Sequence, residues 1–186
     1  MSNQRPPFWR RLFRQKSAAI GASIVLFFVL TAVLAPVIAT YDPRQADISS
    51  RLQGCSVNHF FGTDKVGRDV FSRIVYGSRI SIKVGLIAMT FSLSFGMFFG
   101  TIAGYYGGRL ENVIMRLMDM MLAMPSILLA MVIVTILGQS LTNAIIAVSI
   151  VYIPQYARIL RGSVLDVREQ DYVMATKAIG ASDFWI

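Results

Sequence analysis

Residues 84–108 read VGLIAMTFSLSFGMFFGTIAGYYGG, without one charged side chain. A bilayer hydrocarbon core about 30 Å thick needs roughly 20 apolar residues in helical form. This stretch is therefore long enough to cross as one helix. Two further uncharged runs lie on either side, 17–41 and 120–157. The first suits one crossing. The second is too long for one and suits two, joined by a tight turn. A soluble chain of 186 residues has too little polar sequence to surround three such runs, and soluble helices normally carry charge along one face. Only 15% of residues are charged and 55% are hydrophobic, against about 25% charged in soluble domains. The reading is an all-α, polytopic membrane helical bundle with spans at 18–39, 80–105, 113–137 and 141–159.

Residues 1–17 hold Arg5, Arg10, Arg11, Arg14 and Lys16 and no acid. A signal peptide also begins with positive charge, but its apolar region is only about 7–15 residues. The 18–39 run is longer and reads as a first span. Lys and Arg are in excess on the side that holds the tail, the 105–116 turn and 158–186, so the N-terminus is expected in the cytoplasm. The segment 40–79 is then extracytoplasmic. Within it, Asp64 and Arg68, like Asp69 and Arg73, stand four apart and are expected to pair on a helix face. Residues 68–79 read as a short amphipathic interfacial helix ahead of the second span, where Lys83 can snorkel to the headgroups.

Gly96, Gly100 and Gly104 repeat every four residues and predict a close helix–helix contact. Pro125 is expected to kink the third span. Arg116 and Asp119, three apart in its first turns, read as an intramembrane ion pair. Met120, Met121, Met124 and Met131 read first as packing, with a pliable path lining as the functional alternative.

Several chemistries are excluded. Cys55 is the only cysteine and His59 the only histidine, so no intrachain disulfide, clustered metal site or histidine-based triad is expected. There is no phosphate-binding G-x-x-x-x-G-K-[ST] loop. The net charge of +8 lies between apolar runs rather than on one face with aromatics, which argues against nucleic acid. No cofactor is expected.

Two motifs carry a resemblance. One runs from Gly62 through Thr63, Asp64, Gly67, Arg68, Asp69 and Ser72 to Arg73. The other runs from Asp171 through Met174, Ala175, Thr176, Lys177 and Gly180 to Ala181. With the basic tail, Ala103–Gly108, Met115–Asp119 and Met124–Ser126, they resemble the C-type membrane subunits of dipeptide, oligopeptide and nickel ABC importers. The resemblance implies a type I ABC importer transmembrane domain, partial here over 80–186. It implies that 160–186 is the cytoplasmic E-A-A loop docking on ATPase subunits. Met174-Ala175-Thr176 stands at the E-A-A positions and Gly180 at the glycine; the glutamate is absent. The implied partners are a second permease (a heterodimer), two cytoplasmic ATPase subunits, an external substrate-binding protein and the bilayer of a bacterial inner membrane. ATP hydrolysis would reside in the ATPases. The family pattern also implies about two further spans after this loop, so the sequence is expected to be C-terminally truncated. An ATP-independent channel or secondary transporter, and a non-transporting membrane fragment, are the alternatives.

Overall fold

A computed structural model describes residues 15–182. Most of the basic tail and Phe184-Trp185-Ile186 lie outside the described residues. Among the described residues seven α-helices follow in order: α1 Lys16–Val33, α2 Ala35–Ile38, α3 Val70–Tyr106, α4 Gly108–Leu122, α5 Ser126–Leu137, α6 Leu141–Arg168 and α7 Asp171–Ala178. A 3-10 turn spans Ile48–Ser50. The chain forms two compact units, 1–83 and 84–186.

Among the described residues three helices are long and apolar enough to cross a membrane: α1, α3 and α6. The pair α4 and α5 raises the number to four if it counts as one bent span. α1 shows why water is not its solvent. Its side chains from Ile20 to Val33 are largely bare, with Phe27 66% exposed, and no polar face balances them. Ser23 and Thr31 return their hydroxyls to the carbonyls of Ala19 and Phe27, both at 2.8 Å. Ser94 and Thr135 do the same toward Thr90 and Met131. Hydroxyls in hydrocarbon need such internal acceptors. The first span divides at Leu34, and Pro36 falls in the first turn of α2, where proline is tolerated.

α3 corrects one expectation. The amphipathic stretch and the second span are a single helix of 37 residues, about 55 Å long. No break separates 79 from 80. Gly77, the one flexible residue near that boundary, sits in open space within the helix, and the surrounding residues are helix-compatible.

The third span departs further from expectation. α4 and α5 are bent by 95° at a break around Ala123–Pro125. Proline lacks an N–H and its ring clashes with the carbonyl four residues back. Here the result is an elbow rather than a kink, with Pro125 extended at ψ 130° as the residue preceding α5. α5 has 12 residues, about 18 Å, too short to cross alone. It turns through Gly138 (φ +94°) and packs back on α6. Asn143 holds that turn by donating to the carbonyls of Leu137 and Gly138.

In the 84–186 unit the core forms around Met118, Ile153 and Ala157, with Phe99, Ile114, Met115 and Ile150 against it. α3 approaches α6 closely along its glycines. A Cβ on Gly96 would strike the Cβ of Tyr156. One on Gly100 would lie 2.5 Å from the Ala157 carbonyl oxygen, and one on Gly104 2.8 Å from the Cβ of Val164. Buried Ser92 fastens the same seam, its hydroxyl 2.6 Å from the carbonyl oxygen of Ser149.

Candidate functional site

The second motif of the sequence builds a candidate site on α7. Gln170 leaves the helix path at ψ 142°, ending α6 and starting α7. α7 stops at Ile179, and Gly180 follows at φ +84°. The Gly180 amide donates to the Lys177 carbonyl (3.0 Å) and the Ala181 amide to that of Thr176 (3.2 Å). This double bond is the Schellman ending, which favours glycine at the left-handed position. A Cβ on Gly180 would meet nothing, so conformation rather than space selects glycine. Thr176 returns its hydroxyl to Tyr172 at 2.6 Å. Val173 is buried, while Tyr172, Met174 and Ile179 stand out, Ile179 at 85% exposure. Asp171, Ala175, Lys177 and Ala178 are exposed beside them.

Two contacts join this region to the end of α3. Arg168 donates to the Tyr105 carbonyl at 3.1 Å, and the Lys177 ammonium lies 5.2 Å from the centre of the Tyr105 ring. Two ion pairs join α6 to α4, Arg161 with Glu111 and Arg158 with Asp119. Asp119 thus takes its partner from another helix, not Arg116. An i,i+3 neighbour on α4 was outcompeted by an arginine that the α4–α6 packing brings across.

Within the 1–83 unit, the first motif forms a clamp at the start of α3. Asp69 is its N-cap: Oδ2 accepts from the Ser72 amide at 2.7 Å. Its Oδ1 lies 2.9 Å from Nδ1 of His59, which stacks on Tyr41. The Ser72 hydroxyl accepts from the Tyr41 amide at 3.1 Å. Asp64 accepts from the amides of Val66 (2.9 Å) and Arg68 (3.0 Å), from Arg68 Nε (2.9 Å) and from Arg73. Thr63 accepts from the Gln53 amide and donates to the Ser50 carbonyl. Gly62 (φ +70°) and Gly67 (φ +79°) pass so near the carbonyls of Gln53 and Asp47 that a side chain would collide. The expected Asp64–Arg68 pair is present. The expected Asp69–Arg73 pair is not: Asp69 is committed to capping and to His59, and Arg73 reaches Asp64.

The clamp is electrostatically tight. Partial burial opposes charge on Asp64, yet the Val66 and Arg68 amides and the Arg68 guanidinium outweigh it and hold the carboxyl at about 2. Burial likewise opposes charge on Asp69, and the Ser72 and His59 hydrogen bonds still hold it below the usual carboxylate range. The Ser49 and Ser50 hydroxyls lower Asp47. Among the described residues no group of three or more His, Cys, Asp or Glu is placed to hold a metal ion.

The sequence pattern described as "Binding-protein-dependent transport system inner membrane component" matches residues 96–186. That of the "N-terminal TM domain of oligopeptide transport permease C" matches residues 7–54. The chain belongs to the binding-protein-dependent ABC permease family. It is 48% identical over 176 residues to the dipeptide transport system permease protein DppC of Alkalihalophilus pseudofirmus, covering 92% of this chain and 58% of that one. It is 45% identical over 162 residues to the probable D,D-dipeptide transport system permease protein DdpC of Escherichia coli, covering 87% and 54%. With the glutathione transport system permease protein GsiD of Escherichia coli it is 41% identical over 180 residues, covering 96% and 59%. The permease chain thus spans somewhat over half the length of these relatives. It is a multi-pass inner-membrane protein with the type I ABC importer fold.

Sequence reasoning missed several residues of this permease. His59, Glu111, Arg158 and Arg161 each pair with a residue ten or more positions away, and no spacing rule reaches them. Two signals were readable: Asp69 followed three residues later by Ser72 as a cap, and Arg158 and Arg161 as the first cations after the long uncharged run.

Proposed function

We propose that the chain is a permease subunit of an ATP-driven importer of small peptides, forming the solute path with a second permease. Coupling runs through Asp171–Ala181. α7 exposes Tyr172, Met174 and Ile179 beyond the last span, an apolar face suited to a groove on an ATPase subunit. Two ATPases would close on ATP and carry the docked helices with them, so that access switches sides by rigid-body movement. The observation that carries this reading is the rigid mounting of α7. Its C-terminus is fixed by the Gly180 turn, and Arg168 and Lys177 tie it to Tyr105 at the end of α3. An external binding protein would deliver cargo, and the N-terminus would be cytoplasmic. The peptide cargo class rests on the names of the relatives above.

The test is co-purification with the cognate ATPase pair, followed by Ala178→Trp on the exposed face of α7. Loss of both the complex and ATP-dependent uptake, with the permease pair still assembled, is the expected result. Peptide uptake by the permeases without ATPase or ATP would overturn the proposal.

A further inference from the structure

α6 is long and apolar enough to cross the membrane and sets the local axis. Only residues 138–140 separate it from α5, which packs back along it as the second arm of a helical hairpin. α4 is bent by 95° from α5, so it lies across that axis, close to the membrane plane. The ion pairs report the same crossing. Glu111 and Asp119 are about 12 Å apart along α4, whereas their partners Arg161 and Arg158 are only about 4.5 Å apart along α6. Residues 141–157 of α6 are uncharged, and Arg158 and Arg161 are its first cations. Charge begins where hydrocarbon ends, so the pairs hold α4 at the level of that border.

α4 presents three faces. Ile114, Met115 and Met118 pack toward α6, against Ile153 and Ala157. Arg109, Asn112, Arg116 and Asp119 make an exposed polar stripe. Leu110, Val113, Leu117 and Met120 make a bare apolar stripe, with Val113 at 68% exposure. Steps of three and four residues keep each set on one side of the helix. Asp119 is paired with Arg158, and Arg109 and Arg116 have no ion-pair partner among the described residues. The charge left on the polar stripe is therefore positive, which suits headgroup phosphates. Helices with an apolar stripe beside a cationic polar face lie in the interface and sink their apolar side chains about 5–10 Å toward the acyl chains.

We propose that α4 docks on the bilayer itself, as an in-plane helix at the surface where α6 ends, with its apolar stripe in the acyl–headgroup boundary. Through its two ion pairs it fixes the depth of the end of α6, the mount of α7. The assignment needs only membrane residence and stands apart from the importer reading. The test uses the full chain with its partner permease in vesicles of phosphatidylethanolamine and phosphatidylglycerol. On a Cys55→Ser background, nitroxide labels are placed singly at Val113→Cys, Leu117→Cys and Met120→Cys, and at Asn112→Cys and Arg116→Cys. Leu110→Cys and Arg109→Cys stand in for a variant that fails to assemble. Collision rates are measured with dissolved oxygen and with a water-soluble nickel chelate. The apolar stripe should meet oxygen at one shared depth, and the polar stripe should meet the chelate. Labels at Ile127→Cys and Ile136→Cys of α5 should differ in depth by about 13 Å, which calibrates the scale. A depth rising by about 10 Å from Val113 to Met120 would make α4 part of a crossing and overturn the proposal. Collision of the apolar stripe with neither probe would mean that the partner permease covers it, and chelate access there would mean water; each would also overturn it.

Discussion

Gly180 sits at φ +84° with open space where a side chain would go. Gly180→Ala therefore costs only the left-handed conformation, roughly 1–2 kcal/mol, and Gly180→Asn less. The expected outcome is a frayed α7 in the alanine variant, read as faster hydrogen exchange at the Gly180 and Ala181 amides, with the rest of the chain unchanged. At the other end, Asp69→Ala removes an N-cap worth about 1 kcal/mol and frees His59. A lower melting temperature of the purified permease is expected. Asp64 and Asp69 ionise more readily folded than unfolded, so they stabilise the clamp above the ordinary carboxylate range, about pH 4. That contribution fades as pH falls toward about 2, where Asp64 takes its proton. Amide protection factors over residues 60–75 should fall in that window, and Asp64→Asn should show the lowered protection already at neutral pH. Pairs such as Asp64–Arg68 were legible because a helical turn sets their spacing. Asp119–Arg158, 39 residues apart, was not, because only tertiary packing brings them together.

Among the elements, the seam between α3 and α6 depends on three glycines and Ser92. Gly100→Leu would drive a side chain into the Ala157 backbone and Leu160. Overpacking costs typically 1–3 kcal/mol, and against backbone the cost should reach the upper end. Loss of the folded 84–186 unit in a thermal or protease assay is expected, while Gly85→Leu, which meets nothing, should be neutral. That four-residue glycine rhythm was readable because the helix repeat places such residues on one face. The elbow at Pro125 was not, because proline in a membrane helix is compatible with anything from a mild kink to a full turn. Nor was the fusion of 68–79 with the second span. Charge and apolar pattern change there, and the sequence reading took that change for a boundary, although the backbone has no reason to stop.

For the molecule in its membrane, the single cysteine provides a sidedness marker. Cys55 is exposed in the loop ahead of α3, and an impermeant maleimide should label it in intact spheroplasts. Ser182→Cys on a Cys55→Ser background should react only in inverted vesicles. Whether α4 and α5 make a broken crossing or dip in and return, α6 brings the chain back beside Tyr105, so this outcome is independent of the elbow. Length and apolar pattern made three long crossing helices readable, whereas the candidate site on α7 rests on its resemblance to known permeases, because no spacing rule marks a docking face. Tyr105 holds two tethers from the α6–α7 junction and α7 at once, one on its carbonyl and one on its ring. A tug arriving at α7 would therefore reach the long third helix without slack, like a push rod bolted at both ends, and loosening either bolt should blunt the stroke before it stops the engine.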